Sequence, residues 1–342
     1  MPDLVTRRPQ GLYCEPGDFY IDPWLPVDRA VITHAHADHC RPGHGAYLAQ
    51  RDALGLMRAR LGDEAALEGL AYGEAKRVGD VTLSLHPAGH VLGSAQVRIE
   101  HRGEVWVVAG DYFVSGAGDC NTTCAPFEPV RCDVFVTEST FGLPIYRWAP
   151  QTEVLGEMRA WWADCAAQGK HALLMGYSLG KAQRLIAGLA AGDAPGPVLV
   201  HAAVARLNAA YRDAGIALPD VETVTPETRF KSLRGALVIA PPAVQDSRWA
   251  KALGPHSDAF ASGWMRLRGA RRRRSVDRGF VFSDHADWPG LLAAIAATEA
   301  RRVIVTHGDE GALVRYLNEL GLQAEAFATE YGDEAHGVEA EA

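Results

Sequence analysis

The chain has 342 residues, a formal net charge of −8, 48% apolar side chains and 22% charged ones. That describes a globular protein of about two domains, not a disordered or fibrous one, and the acidic balance argues against non-specific coating of nucleic acid, though not against a local basic groove. No run approaches a membrane span, the start carries no signal-peptide pattern, and six cysteines without framework-like spacing point to a reducing cytoplasm.

The apolar run Ala30-Val31-Ile32 predicts a short buried strand ending in Thr33. It leads into His34-Ala35-His36-Ala37-Asp38-His39. His34 and His36 project to one side of extended backbone, and Asp38 and His39 lie in the loop beyond. Three imidazoles and a carboxylate so placed suit two adjacent divalent ions, with His34 and His36 on one and Asp38 and His39 on the other. The alternative is a solvated His-rich loop.

Strands are predicted over 81–85 and 95–100, with His90 in a glycine-bearing loop between them. After a turn at 101–103, a strand over 104–109 ends at Asp111, whose two carboxylate oxygens can bridge two ions. Three later apolar runs also end in polar groups: 134–137 leads into Glu138, 280–282 into Ser283-Asp284-His285, and 303–306 into His307. Sites in sheet-based folds gather at such strand ends. His44, His86 and His201 are expected to support the site from behind or to be merely structural.

In the middle of the chain, 152–167, 179–191 and 203–214 predict helices, and 172–175, 198–201 and 237–240 predict strands. This alternation implies a small, mostly parallel sheet with helices on both faces, capping the metal site across a cleft. Gly176-Tyr177-Ser178-Leu179-Gly180-Lys181 joins a strand to a helix there. Ser178, the backbone at Gly180, and Lys181 suit a phosphate, although the glycine spacing is not that of a P-loop. A plain helix cap by Ser178 is the alternative. Trp161 and Trp162 on one helix cannot both face one core, which predicts one at a domain interface. Residues 261–265 read as a small-residue turn near the cleft. Cys120, Cys124 and Cys132 lack a fourth partner for a zinc knuckle and are expected to be buried thiols. Arg266, Arg268, Arg271, Arg272, Arg273, Arg274 and Arg278 form either a basic groove or a solvated loop. The last residues, 333–342, look acidic and frayed.

Taken in order, these motifs resemble the metallo-β-lactamase fold and, within it, the β-CASP nucleases. Asp22, in Phe19-Tyr20-Ile21-Asp22-Pro23, matches the family's first motif. His34, His36, Asp38 and His39 match the second in full, and His90 and Asp111 the third and fourth. Glu138, His285 and His307 match the three marks of the β-CASP branch, and 179–183 is similar to a Leu-Gly-Lys/Arg-Ala-Gln stretch of that branch. The resemblance covers nearly the whole chain. It implies an α/β fold: an αββα sandwich over 1–145 and 276–342, with an inserted α/β cap over 146–275. It implies one metal on His34, His36, His90 and Asp111, and a second on Asp38, His39, Asp111 and His307, both Zn²⁺ or Mn²⁺. Asp22 would orient a ligand histidine. Asp38, Glu138 and His285 would be catalytic, with His285 as a general acid held by Glu138.

His307 departs from the pattern of animal DNA-crosslink-repair members, which commonly lack that histidine. The stretch over 137–146 is similar to the bacterial ligase-associated DNA exonucleases. The resemblance therefore implies an exonuclease on single-stranded DNA, working in repair, with a DNA ligase and a helicase as functional partners; a terminal-phosphate pocket at Ser178 and Lys181 would give it 5′-to-3′ polarity, and the cysteine usage a cytoplasmic place. The alternatives are an RNA-processing ribonuclease of the same family, a small-molecule metallohydrolase, and a non-catalytic nucleic-acid-binding subunit.

Overall fold

Short apolar runs broken by Gly, Pro and Asp build the first sheet. In the computed structural model, which describes residues 3–330 apart from 117, 118, 120, 191, 193, 270, 271, 273, 274 and 309, it contains six strands. They are β1 (Val5–Arg8), β2 (Gly11–Cys14), β3 (Phe19–Ile21), β4 (Arg29–Val31), β5 (Ala46–Gln50) and β6 (Leu67–Leu70), in that order. Cys120, Arg271, Arg273, Arg274 and the acidic tail over 333–342 lie outside the described residues. The β4 strand stops short of Thr33 because the Thr33 N–H turns away from the sheet to the Asp22 carboxylate.

A second sheet begins with β7 (Lys76–Val78), β8 (Val81–Pro87), β9 (Ala95–His101), β10 (Glu104–Val108) and β11 (Val134–Ser139). The chain then leaves to form a third sheet from β12 (His171–Met175), β13 (Val198–Val200), β14 (Glu222–Thr223), β15 (Leu237–Ala240), β16 (His256–Ala261) and β17 (Arg278–Phe280). It returns as β18 (Arg302–Gly308) and β19 (Gln323–Ala326), so the second sheet reads β19-β18-β11-β10-β9-β8-β7. The strand β17 before His285 pairs in parallel with β16 and so belongs to the third sheet.

Period-two alternation sorts the layers. Trp106 and Val108 face Leu12, Ile21, Val31 and Leu48 across the gap between the first two sheets. Val107 and Ala109, the alternate residues, face the other way. The α-helices among the described residues are α1 (Leu54–Leu61), α2 (Gln151–Ala167), α3 (Lys181–Leu189), α4 (Ala202–Asp213), α5 (Arg248–Ala252), α6 (Trp288–Thr298) and α7 (Glu310–Glu319). Leu291 and Ile295 of α6 and Leu313 and Leu317 of α7 cover the second sheet. Leu56 and Met57 of α1, with Leu207 and Tyr211 of α4, cover Ile32, Tyr47 and Ala49 of the first. The result is a four-layer αββα sandwich. None of the described helices is long and apolar enough to cross a membrane.

Every pairing in the third sheet is parallel. Ala172 and Leu174 turn to α2, α3 and α4, while Leu173 and Met175 turn to α5 and short 3₁₀ turns. Burial on both faces explains the unbroken apolar runs of these strands. Helix α4 serves two layers: Val204 packs against the third sheet, and Leu207 and Tyr211 reach the first.

The expectation that Trp161 and Trp162 part company is corrected. Both are buried in the same core, where Trp162 Nε1 donates to the Gly235 carbonyl (2.6 Å) and Trp161 Nε1 to Ser257 Oγ (3.3 Å). The buried arc of α2 is wide enough to hold neighbours about 100° apart. Trp162→Ala is expected to cost about 3–5 kcal/mol, the range for a large aromatic lost from a packed core. Urea unfolding of the variant checks this.

Candidate metal centre

Strands β4, β8, β10, β11 and β18 all release their C-terminal ends at one rim, and the polar groups follow. The loop after β4 carries His34, His36, Asp38 and His39; the loops after β8 and β10 carry His90 and Asp111. Only Gly fits at 110: φ is +59°, and a Cβ there would lie 2.6 Å from the Thr33 side chain. This close approach brings Asp111 against the first loop.

His34, His36, His90 and Asp111 form a buried group whose ligand atoms lie within 4.8 Å of one another. His34 Nε2 and His90 Nε2 each stand 3.1 Å from His36 Nδ1. Asp111 Oδ2 is 3.5 Å from His34 Nε2 and 3.9 Å from His90 Nε2. Ligand atoms around a tetrahedral ion with bonds near 2.05 Å are spaced by about 3.3 Å, so this donor set fits a divalent metal. The strand carrying His34 and His36 ends earlier than expected, yet the loop still brings the two rings together.

The second expected set is more open. His39 Nε2 lies 3.4 Å from Asp111 Oδ2 and 3.7 Å from Asp38 Oδ2, and the His307 ring centroid is 6.3 Å from that of His39. Asp38 keeps a quarter of its side chain exposed, whereas His39 and Asp111 are buried. Asp22 stands behind His39. Its Oδ2 accepts from His39 Nδ1 (2.8 Å) and Thr33 Oγ1 (2.5 Å), and its Oδ1 from Thr33 N (2.7 Å). Asp22 and His307 both hold left-handed backbone, φ 43° and 54°, a strained state for a side-chain-bearing residue.

Glu138 and His285 form a separate buried pair. His285 Nδ1 is 2.9 Å from Glu138 Oε2, and Glu138 Oε1 also accepts from Tyr112 N (2.7 Å). The His285 ring lies 4.5 Å from that of His90, between centroids. Phe141 stands 6.0 Å from it on another side, packed among Tyr146, Trp148 and Trp264, and Trp148 Nε1 donates to the His285 carbonyl. Gly263, in the small-residue turn, meets the Phe141 ring.

Burial pushes His34 well below the usual imidazole range and His90 down to about 3. Burial also works against a proton on His39, but the carboxylates of Asp111, Asp38 and Asp22 overcome it and hold His39 well above that range. Asp111 is the converse: burial would raise it, and His39 and His34 hold it well below the carboxylate range. Asp284 is likewise held low against burial, chiefly by Lys181.

The phosphate candidates land differently from one another. Helix α3 starts at Lys181, so Gly180 is its cap and Ser178 is not; Gly180 N donates to Gln183 Oε1 (2.8 Å). Lys181 is buried and paired with Asp284 at 2.9 Å, and Ser178 Oγ is buried with no hydrogen-bond partner among the described residues. Asp284 and Arg184 were not foreseen as site residues; the one sequence signal was the adjacency of Asp284 to His285. His44, His201 and His86 serve local structure, bonded to Val27 N, Ala203 N, and Ser84 with Glu128 respectively. Cys124 is a buried thiol against Asn121, and burial raises Cys132 to about 12.

No protein-family model matches the chain. It is 32% identical over 317 residues, 92% of its length, to a probable DNA ligase of Opitutus terrae, of which it covers 30%. A ribonuclease of Thermus thermophilus is 29% identical over 194 residues, 49% of the chain and 44% of that protein. The chain thus spans less than half the length of these curated relatives. The crystal structure of a protein of unknown function from Enterococcus faecalis V583 matches with a TM-score of 0.60, covering 89% of this chain and 80% of that one. At 13% identity that is a likeness of fold.

The raised His39 and lowered Asp111 set a pH dependence. In chelator-treated protein their charge pair stabilises fully between about pH 4 and 6.5. It is lost as pH rises through the folded-state pKa of His39, and as pH falls through that of Asp111. If His39 serves as a ligand, metal uptake would displace its proton, and so would release a proton and weaken as pH falls. Zn²⁺ calorimetry in two buffers of different ionisation enthalpy reads the proton; heats that do not change with buffer at neutral pH would contradict this.

Proposed function

Because the chain belongs to the β-CASP metallo-β-lactamase family, we propose that it is a metal-dependent nuclease, a 5′-to-3′ exonuclease on single-stranded DNA acting in repair. The observation that carries this reading is the buried Glu138–His285 pair beside the inward-facing cluster of His34, His36, His90 and Asp111. A small-molecule hydrolase of this fold has no evident use for that pair or for the inserted sheet. A non-catalytic binding subunit has no need of a complete donor set.

His34, His36, His90 and Asp111 would hold one divalent ion, and Asp38, His39, Asp111 and His307 the other, Zn²⁺ or Mn²⁺ by donor type. When bound, such ions lower the pKa of water and neutralise the non-bridging phosphate oxygens. The chain's own groups do the rest. Asp22 holds the His39 ring through Nδ1, fixing its tautomer. Glu138 accepts from His285 Nδ1, which leaves Nε2 to carry the proton that the leaving 3′ oxygen needs. The products are a 5′-phosphate and a 3′-hydroxyl. Of the phosphate candidates, Lys181 and the Gly180 N–H are already engaged, so Ser178 Oγ is the group left to meet a substrate phosphate. The cap would run to about residue 280, taking in β17.

Similarity to a probable DNA ligase across 92% of the chain supports DNA as the substrate and a ligase as a functional partner, with a helicase as the other proposed partner. The ribonuclease relative, matched over 49% of the chain, makes RNA cleavage the second reading.

Asp111→Ala is expected to abolish cleavage in a folded protein. His285→Ala is expected to keep its metal and lose about 10²–10⁴ in turnover; a loss accounted for by missing metal would remove the general-acid role. Substrate choice is read on matched 3′-labelled, 5′-phosphorylated single strands of DNA and RNA. Progressive 5′ shortening of DNA alone is expected, whereas faster RNA cleavage or internal cuts would favour the second reading.

A further inference from the structure

We propose that the start of α3, in the inserted segment, is part of the apparatus that orients the metal ligands, so that metal loading and the seating of that segment on the sandwich are coupled equilibria. This rests on reading His34, His36, His90 and Asp111 as ligands. His36 Nε2 donates to the Leu179 carbonyl (3.2 Å), which leaves Nδ1 as the nitrogen facing His34 and His90. His90 Nδ1 donates to the Asp284 carbonyl (2.8 Å), which leaves Nε2 inward. Lys181 pairs with the carboxylate of the same Asp284 at 2.9 Å, with 2% and 1% of the two side chains exposed. One turn on, Arg184, also buried, donates to the carbonyls of His90 (2.9 Å), Gly89 (3.3 Å) and Ser283 (3.5 Å). Gly180 lies so close to the His90 loop that a Cβ would stand 2.2 Å from Val91 Cγ1.

Four residues of one segment, Leu179, Gly180, Lys181 and Arg184, thus touch the back of two ligand imidazoles and the loops that carry His90 and His285. Apolar contacts would close this interface at lower desolvation cost than a buried ammonium and a buried guanidinium. Their placement has a direct consequence for the rings. An imidazole bound to a cation is a stronger donor through its other nitrogen, so metal strengthens the bonds to Leu179 and Asp284. Linkage then requires that loosening α3 weakens metal by the same factor.

The experiment uses the full chain. Hydrogen exchange of the amides at 182–189 is followed with Zn²⁺ and after chelation, and Zn²⁺ affinity is measured by chelator competition for Arg184→Met, Arg184→Lys and, as a control on the face of the third sheet away from α3, Leu253→Ala. Zn²⁺ is expected to slow exchange in α3. Arg184→Met is expected to bind Zn²⁺ roughly 10–100-fold more weakly, with Arg184→Lys recovering part of the loss and Leu253→Ala close to the parent. Exchange in α3 that ignores Zn²⁺, or equal affinity in Arg184→Met, overturns the coupling while leaving the ligands in place. Failure of the unsubstituted protein to take up Zn²⁺ overturns the ligand assignment, and the coupling with it. If Arg184→Met does not fold, the exchange comparison on the unsubstituted protein decides.

Discussion

Imidazole nitrogens that face one another at 3.1 Å repel unless a cation stands among them, and the molecule is arranged around holding them there. Each ring is fixed through its outward nitrogen by a different piece of chain. Thr33 Oγ1 meets His34, the Leu179 carbonyl meets His36, Asp22 meets His39, the Asp284 carbonyl meets His90, and Glu138 meets His285. Those partners come from the loop after β3, the β4 loop itself, the end of β11, the approach to α3 and the loop after β17. No single sheet supplies them. The folding problem for this chain is to bring three sheets to one rim, and the packed layers are the means.

The centre is uneven. One donor set is buried and close, and the other opens through Asp38, whose side chain keeps 25% of its surface exposed. That side is where the centre meets solvent. On another side the aromatic rings of Phe141, Tyr146, Trp148 and Trp264 close a dry wall around His285, which strengthens its bond to Glu138 by excluding water. Left-handed backbone at Asp22 and His307 marks where the surrounding structure overrides local preference.

The donors were legible in the sequence because each sits where an apolar run stops, and β4, β8, β10, β11 and β18 all stop at the rim. The ends of strands and helices shifted by a residue or two where a side chain competed for backbone, as Asp22 does at Thr33. The membership of β17 was not legible: three residues carry no signal of which neighbour they will pair with, and β16 decides it. Nor were the roles of Lys181 and Arg184. The sequence suggests Lys181 as a phosphate contact and gives no sign of Arg184, because the partners of both lie about a hundred positions away in sequence. The two indoles of α2 misled for a related reason, since the width of a buried arc depends on what packs against it.

The double duty of α4 bears on how such a protein is inherited. Its Leu207 and Tyr211 are the lining over Ile32, Tyr47 and Ala49, and Gly55 of α1 leaves room for the Ala210 methyl group. Cutting out the inserted segment would strip the first sheet of the cover that Leu207 and Tyr211 give it. Exchanging it for one from another lineage would set a foreign helix against a groove shaped for this one. The two units are therefore not interchangeable cassettes. A change on the α4 surface therefore needs a matching change on α1, although the chain between them runs through the second sheet and part of the third.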